Sequence, residues 1–190
     1  MIISELILFV ILTCFMIFIA LSIIYSSVKV GITPMPSSKK AYLAMMQLVS
    51  DTGTGTIVDL GSGWGNFVIR IAKQYPQRKI VGYELSFLPW LTATLLKKLF
   101  NLKNLTLYRQ NFYLADLSDA SVLVCYLFPE AMEKISHKLQ TEHANVHFVI
   151  SNNFALPSYK PSKTVRLNDF YKSPIYLYKI SKERAESVIK

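Results

Sequence analysis

The chain has 190 residues, 52% of them apolar, and a formal charge of +9, which suits one domain of ordinary size plus a short appended segment. Its only two cysteines, Cys14 and Cys125, fall in separate apolar runs, which excludes a disulfide scaffold; its three scattered histidines, His137, His143 and His147, do not make a ligand set, so no metal is expected. A basic excess of this size fits nucleic acid, an acidic protein or, for a domain held at a membrane, anionic lipid.

The first element is "IISELILFVILTCFMIFIALSII", 23 residues from Ile2 to Ile24 with one charge, Glu5. About 20 apolar residues suffice to cross a bilayer as a helix. No basic leader and no small-residue cleavage site accompany it, so residues 1–28 read as a retained transmembrane anchor rather than a signal peptide. Lys29, Lys39 and Lys40 follow the span and no Lys or Arg precedes it. The positive-inside rule then predicts a single-pass protein whose remaining chain is cytoplasmic, as at a bacterial inner membrane. Residues 29–37 form a hinge, broken by Gly31, Pro34 and Pro36.

The folded domain is expected over residues 38–190. A helix capped by Ser37 or Ser38 runs through "KKAYLAMMQLVS" to the turn residues Thr52 to Gly55. Strand and helix then alternate: strand 56–61, helix 65–75, strand 79–84, helix 88–100, strand 105–109, the apolar run 121–128, a helix opened by Pro129, and strand 145–151. Nearly continuous apolar strands imply a parallel sheet covered on both faces. "TVRLNDFY" (164–171) and "PIYLYKIS" (174–181) have no helix between them and read as a terminal hairpin. The expected fold is α/β and Rossmann-like, a seven-stranded sheet ending in an antiparallel hairpin and preceded by one transmembrane helix.

"DLGSGWGN" (59–66) occupies the first strand-to-helix turn, where open α/β sheets bind ligands. It fits neither G-x-G-x-x-G, since the third glycine falls at Gly65 rather than at Asn66, nor a phosphate loop, since no lysine follows. The spacing Asp59, Gly61, Gly63, Gly65, with Ser62 between, resembles motif I of the class I S-adenosylmethionine-dependent methyltransferases. A zwitterionic amino-acid end needs bare backbone and a carboxylate for its ammonium group, and glycines give the clearance. The resemblance further implies an acid at the end of strand two for the two ribose hydroxyls, met by Glu84 with Leu85 beside it. It also implies an amide after strand three for the adenine amino group, met by Asn111, with Phe112 against the ring.

Longer stretches narrow the family. "TPMPSS", "IVDLGSGWGNFVIRIAK", "VGYELSFLPWL", "NFYLADLSDASVLVCYLFPEAMEKISHKL" and "FVISNNFALP" resemble the lysine methyltransferases of the ATP synthase c-subunit and the adenine nucleotide translocase, with their prokaryotic relatives, over roughly residues 32 to 180. Departures from the eukaryotic pattern are Trp64, where an acid is common, and "SNNFALP", where Arg-x-Phe-Pro-Phe-Pro is common. The resemblance implies methyl transfer to a lysine ε-amine of a protein, with a membrane protein as one candidate. Tyr126, Asn152 and Asn153 are the candidates to orient that amine, and Pro34 and Pro36 either shape a lid or stiffen the hinge. Nucleic acid is not an expected partner, because the Asn/Asp-Pro-Pro-aromatic quartet of base-amino methylation is replaced by Tyr126-Leu127-Phe128-Pro129. A lipid or quinone methyltransferase, an RNA methyltransferase and a non-catalytic cofactor-binding scaffold stand as alternatives.

Overall fold

A computed structural model describes residues 2–30, 37–142 and 145–180. Seven strands form one sheet in the order β3-β2-β1-β4-β5-β7-β6: β1 Ile57–Leu60, β2 Ile80–Tyr83, β3 Leu105–Tyr108, β4 Val122–Cys125, β5 Phe148–Asn152, β6 Lys163–Arg166 and β7 Pro174–Lys179. The first five run parallel; β7 is antiparallel to both β5 and β6. This is the expected seven-stranded, Rossmann-like sheet with its terminal hairpin. The helices are α1 Ile2–Val30, α2 Lys39–Ser50, α3 Asn66–Gln74, α4 Phe87–Leu99 and α5 Pro129–Thr141.

Burial follows the sequence pattern. β1, β2 and β4 are buried at every position, as central parallel strands covered on both faces must be. α2 starts where Ser38 Oγ accepts the Ala41 N–H at 3.1 Å, and buries Ala41, Ala44, Met45, Leu48 and Val49, one stripe at helical spacing. With α3 it covers the sheet face carrying Ile57, Ile80, Val122 and Ile150. α5, with Pro129 in its first turn, covers the other face through Ala131, Met132 and Ile135 against Leu60, Leu123 and Val149. No helix joins β5 to β6. A loop covers that stretch instead, with Leu156 buried and its N–H donating to the Tyr178 hydroxyl at 2.9 Å.

Several boundaries differ from expectation. The run 121–128 is strand only to Cys125, and the expected strand 164–171 ends at Arg166. There the ladder closes with Leu167 N–H donating to the Ser173 carbonyl (2.9 Å), and Asp169 Oδ1 accepts the Ser173 N–H (2.8 Å). Turn chemistry of the Asx type outweighs the apolar and aromatic propensity of Phe170 and Tyr171. In α1, the window Ile3–Leu21 has a mean hydropathy of 2.6 and none of it is buried; it is long and apolar enough to cross a membrane. Most of the hinge, including Pro34 and Pro36, and His143 lie outside the described residues.

Candidate functional site

The chain leaves β1 toward β2 and β3, then returns to form β4 on the other side of β1. The crevice between β1 and β4 is therefore the topological switch point, where open α/β sheets bind ligands at the carboxyl ends of their strands. The glycine turn lies there. Gly61 and Ser62 N–H both donate to the Tyr83 carbonyl, at 3.0 and 2.8 Å, folding the turn over the end of β2.

The glycines serve different needs. Gly63 has a φ of +54° and open space where a Cβ would point, so its bareness clears room in front of the turn. Gly65, with φ +81° at the start of α3, would put a Cβ 2.7 Å from that of Ala93; its bareness lets α3 close on α4. Gly82 in β2, which sequence reasoning passed over, would put a Cβ 3.0 Å from Ser62 Oγ. A glycine inside a strand is the signal that marks such a close approach.

Two carboxylates face this turn. Glu84, half-buried just past β2, accepts the Gly63 N–H on Oε2 (2.9 Å) and the Ser86 N–H on Oε1 (2.7 Å). Each oxygen keeps a second lone pair, so the group is held in place and can still accept two hydroxyls. Asp59 is buried, and no donor among the described residues reaches it. Burial first, and the Glu84 charge second, push its carboxyl up to about 7. A dry carboxyl with an unmet need for positive charge fits an ammonium group. Ser62 Oγ, also buried, has no hydrogen-bond partner among the described residues. These features suit a ligand with a zwitterionic end and a diol. Tyr42 of α2 was not foreseen here; burial first raises its phenol, which also feels Asp59 and bonds the Asn66 side chain.

The other expected ligand residues are placed unequally. Leu85 is half-buried beside Glu84. Asn111 caps the single-turn helix Phe112–Leu114, its Oδ1 accepting the Tyr113 N–H at 3.0 Å, which commits one lone pair and leaves the amide nitrogen. The Phe112 ring is 4% exposed and packs in the α5-side core, 4.4 Å from the Tyr113 ring.

Tyr126 and the adjacent pair Asn152 and Asn153, from the ends of different strands, come together around one cavity of about 150 Å³ at the exits of β4 and β5. Its other walls are Ser37, Ser38 and Ala41 at the start of α2, and Leu167, Asp169 and Ser173 from the β6–β7 turn. Asn152 is buried and its Nδ2 donates to Ser37 Oγ at 3.0 Å, which leaves Oδ1 as the acceptor. Asn153 adopts a φ of +70° and is exposed, its N–H donating to the Pro174 carbonyl at 2.8 Å. Tyr126 stacks on Phe154 at 6.2 Å. Asp169 is the one carboxylate of this lining. The Ser173 backbone N–H holds its carboxyl below the usual range, so it is charged at neutral pH. Nothing local in "LNDFYKS" announces that place; Asp169 reads as part of the expected strand 164–171 until the hairpin is folded.

The family model for the ANTKMT methyltransferase domain matches residues 59–163, from the Asp59 of the glycine turn to the first residue of β6. A protein-lysine N-methyltransferase of Saccharolobus islandicus is 24% identical over 156 residues, covering 78% of this chain and 94% of that protein. The lysine N-methyltransferase of the ATP synthase c-subunit from Xenopus laevis is 34% identical over 113 residues; the match covers 57% of this chain and 47% of that enzyme. A solved RNA methyltransferase from Salinibacter ruber, in complex with S-adenosyl-L-homocysteine, superposes with a TM-score of 0.70 at 26% identity, covering 80% of this chain and 97% of that one.

Proposed function

The chain belongs to the ANTKMT methyltransferase domain family and uses S-adenosylmethionine, and on that basis we propose that it methylates the ε-amine of a protein lysine at a membrane, to which α1 anchors it. The observation that carries this reading is the cavity gathering Tyr126, Asn152, Asn153 and Asp169 beside the switch point. Both lysine methyltransferases above support the acceptor class. The Xenopus enzyme is named for a component of the ATP synthase, which favours a membrane protein as acceptor.

In this reading Asp59 receives the cofactor's ammonium group, Gly61, Ser62 and Gly63 let its amino-acid end lie against backbone while Gly65 closes α3 behind them, and Glu84 accepts both ribose hydroxyls. Asn111 and Leu85 border the adenine, with Phe112 backing that wall from within the core. When bound, S-adenosylmethionine supplies an electrophilic methyl on a positively charged sulfur.

The protein's task is the amine. A free lysine has a pKa of about 10.4, so making it neutral near pH 7 costs on the order of 4 to 5 kcal/mol. Asp169, charged and at the rim, draws the ammonium form in. Removal from water then lowers the amine pKa, and the ammonium proton passes to solvent at the cavity mouth before the methyl is transferred. Asn152 Oδ1 and the Tyr126 hydroxyl accept its N–H groups, and this aims the nitrogen lone pair toward the glycine turn. Asn152 is held for this by its bond to Ser37. The basic residues after the apolar span, Lys29, Lys39 and Lys40, favour a cytoplasmic domain.

The similarity to the Salinibacter ruber enzyme supports RNA as a second acceptor class. One experiment separates the readings: methyl transfer from labelled cofactor by the full chain into membranes and cytosol of a host lacking the gene, followed by protease, nuclease and lipid extraction. A protease-sensitive band in the membrane fraction, with label in methyl-lysine after hydrolysis, is expected. Label lost to nuclease or extracted with lipid would replace the lysine reading.

A further inference from the structure

The turn between β6 and β7 walls the cavity on one side and points outward on the other. Leu167, Asp169 and Ser173 line the cavity, while Phe170 and Tyr171 between them are 94% and 83% exposed. Both rings stand at the carboxyl edge of the sheet, beside the cavity mouth. They meet edge to face at 5.3 Å and are fixed by a braced turn: Lys172 N–H donates to the Asp169 carbonyl at 3.2 Å, Ser173 N–H donates to Asp169 Oδ1, and Lys40 reaches the Asn168 carbonyl. A turn so tied presents its aromatics; they are not collapsed onto the domain.

Their surroundings are cationic. Lys172, Arg166 and Lys39 are exposed on the same edge, and the one acid of the turn, Asp169, faces the cavity. Two adjacent aromatics flanked by cations match the headgroup layer of an anionic bilayer, where aromatic rings sit at the interface and lysines meet lipid phosphate.

Chain geometry brings that layer within reach. α1 ends at Val30 and Ser37 lines the cavity. The intervening seven steps extend at most about 25 Å, and the helix from Ser22 to Val30 adds roughly 13 Å beyond a span ending at Leu21.

We propose that Phe170 and Tyr171, with Lys172, Arg166 and Lys39, dock the cavity edge on the surface of an anionic bilayer, so that acceptor lysines are taken from the membrane–water interface. This rests on the reading of α1 as a membrane span. An acceptor lysine at the end of another protein's helix would then meet the cavity without leaving the interface, and a lysine far out in solvent would not.

The test uses the full chain in a Cys14→Ser background, since Cys14 is exposed and Cys125 is buried. A polarity-sensitive fluorophore is placed at Phe170→Cys or at Asp119→Cys, the latter an exposed position ahead of β4 at the opposite sheet edge. Both are reconstituted in nanodiscs of phosphatidylethanolamine and phosphatidylglycerol with brominated acyl chains, and S-adenosylhomocysteine binding confirms that each is folded. The expected result is blue-shifted emission and at least twofold quenching at position 170 with none at 119. An unquenched position 170 in protein that stays with the nanodisc would overturn the docking and leave the anchor standing. Protein that does not enter the nanodisc would overturn both. Shielding at position 170 that appears only after membrane proteins are added would assign the aromatics to a protein partner and also overturn the proposal.

Discussion

The two halves of the sheet edge are built by different means. On the β1–β2–β3 side the bond that fixes the central carboxylate joins Gly63 to Glu84, 21 residues apart and just past the ends of the adjacent strands β1 and β2. On the β4–β5–β7 side the bond that orients the central amide joins Ser37 to Asn152, 115 residues apart. The first half is a local motif, closed by one turn against the end of the neighbouring strand. The second is gathered from the start of α2, two strand ends and the hairpin turn. In the proposed reading the cofactor half is thus written in short range and the acceptor half in long range.

That contrast can be broken most strongly through Asp59. In the cofactor-free protein its folded pKa of about 7 lies above the unfolded value of 3.8. The native state therefore holds a proton more tightly than the unfolded chain. The resulting stability is fully present below about pH 4 and is lost as pH rises to about 7, a change on the order of 4 kcal/mol. Denaturant midpoints across this range should fall with pH, and should fall less with Asp59→Asn or with saturating S-adenosylhomocysteine. An unchanged slope in Asp59→Asn would place the coupling elsewhere.

Asn152→Ala should lower kcat by about 100-fold, the scale of losing one proton-handling contact, while calorimetry finds cofactor affinity within twofold. Equal losses in both would mean the halves are not separable. Glu84→Ala should act in the opposite sense, weakening cofactor binding by roughly 10- to 100-fold, as expected for hydrogen bonds to a charged group worth about 1.5 to 3 kcal/mol. Its effect on stability should be slight, because the half-exposed Gly63 turn can bond water instead.

The smallest test compares two glycines of one motif. Gly65→Ala meets Ala93 and a left-handed φ, and should cost about 2 kcal/mol of stability. Gly63→Ala meets only the left-handed φ, costs about 1 kcal/mol, and should show itself in cofactor affinity. A larger stability loss at Gly63 would reverse the assignment of clearance to one and packing to the other.

The alternation of strands and helices, the apolar N-terminal helix, and the positions of Asp59, the glycine turn and Glu84 were all legible in the residues alone. They follow from hydrophobic period, caps and glycine spacing, which act over a few residues. The end of β6 was not legible, because Phe170 and Tyr171 have the propensity of a strand but no partner beyond Arg166, and the Asp169 turn claims them. Folding was needed to bring Ser37 and Asp169 to Tyr126, Asn152 and Asn153 around one cavity, and to make Phe112 part of the core. These outcomes depend on which strand lies beside which, and β4 returning next to β1, with β7 between β5 and β6, is a long-range choice that no local pattern contains.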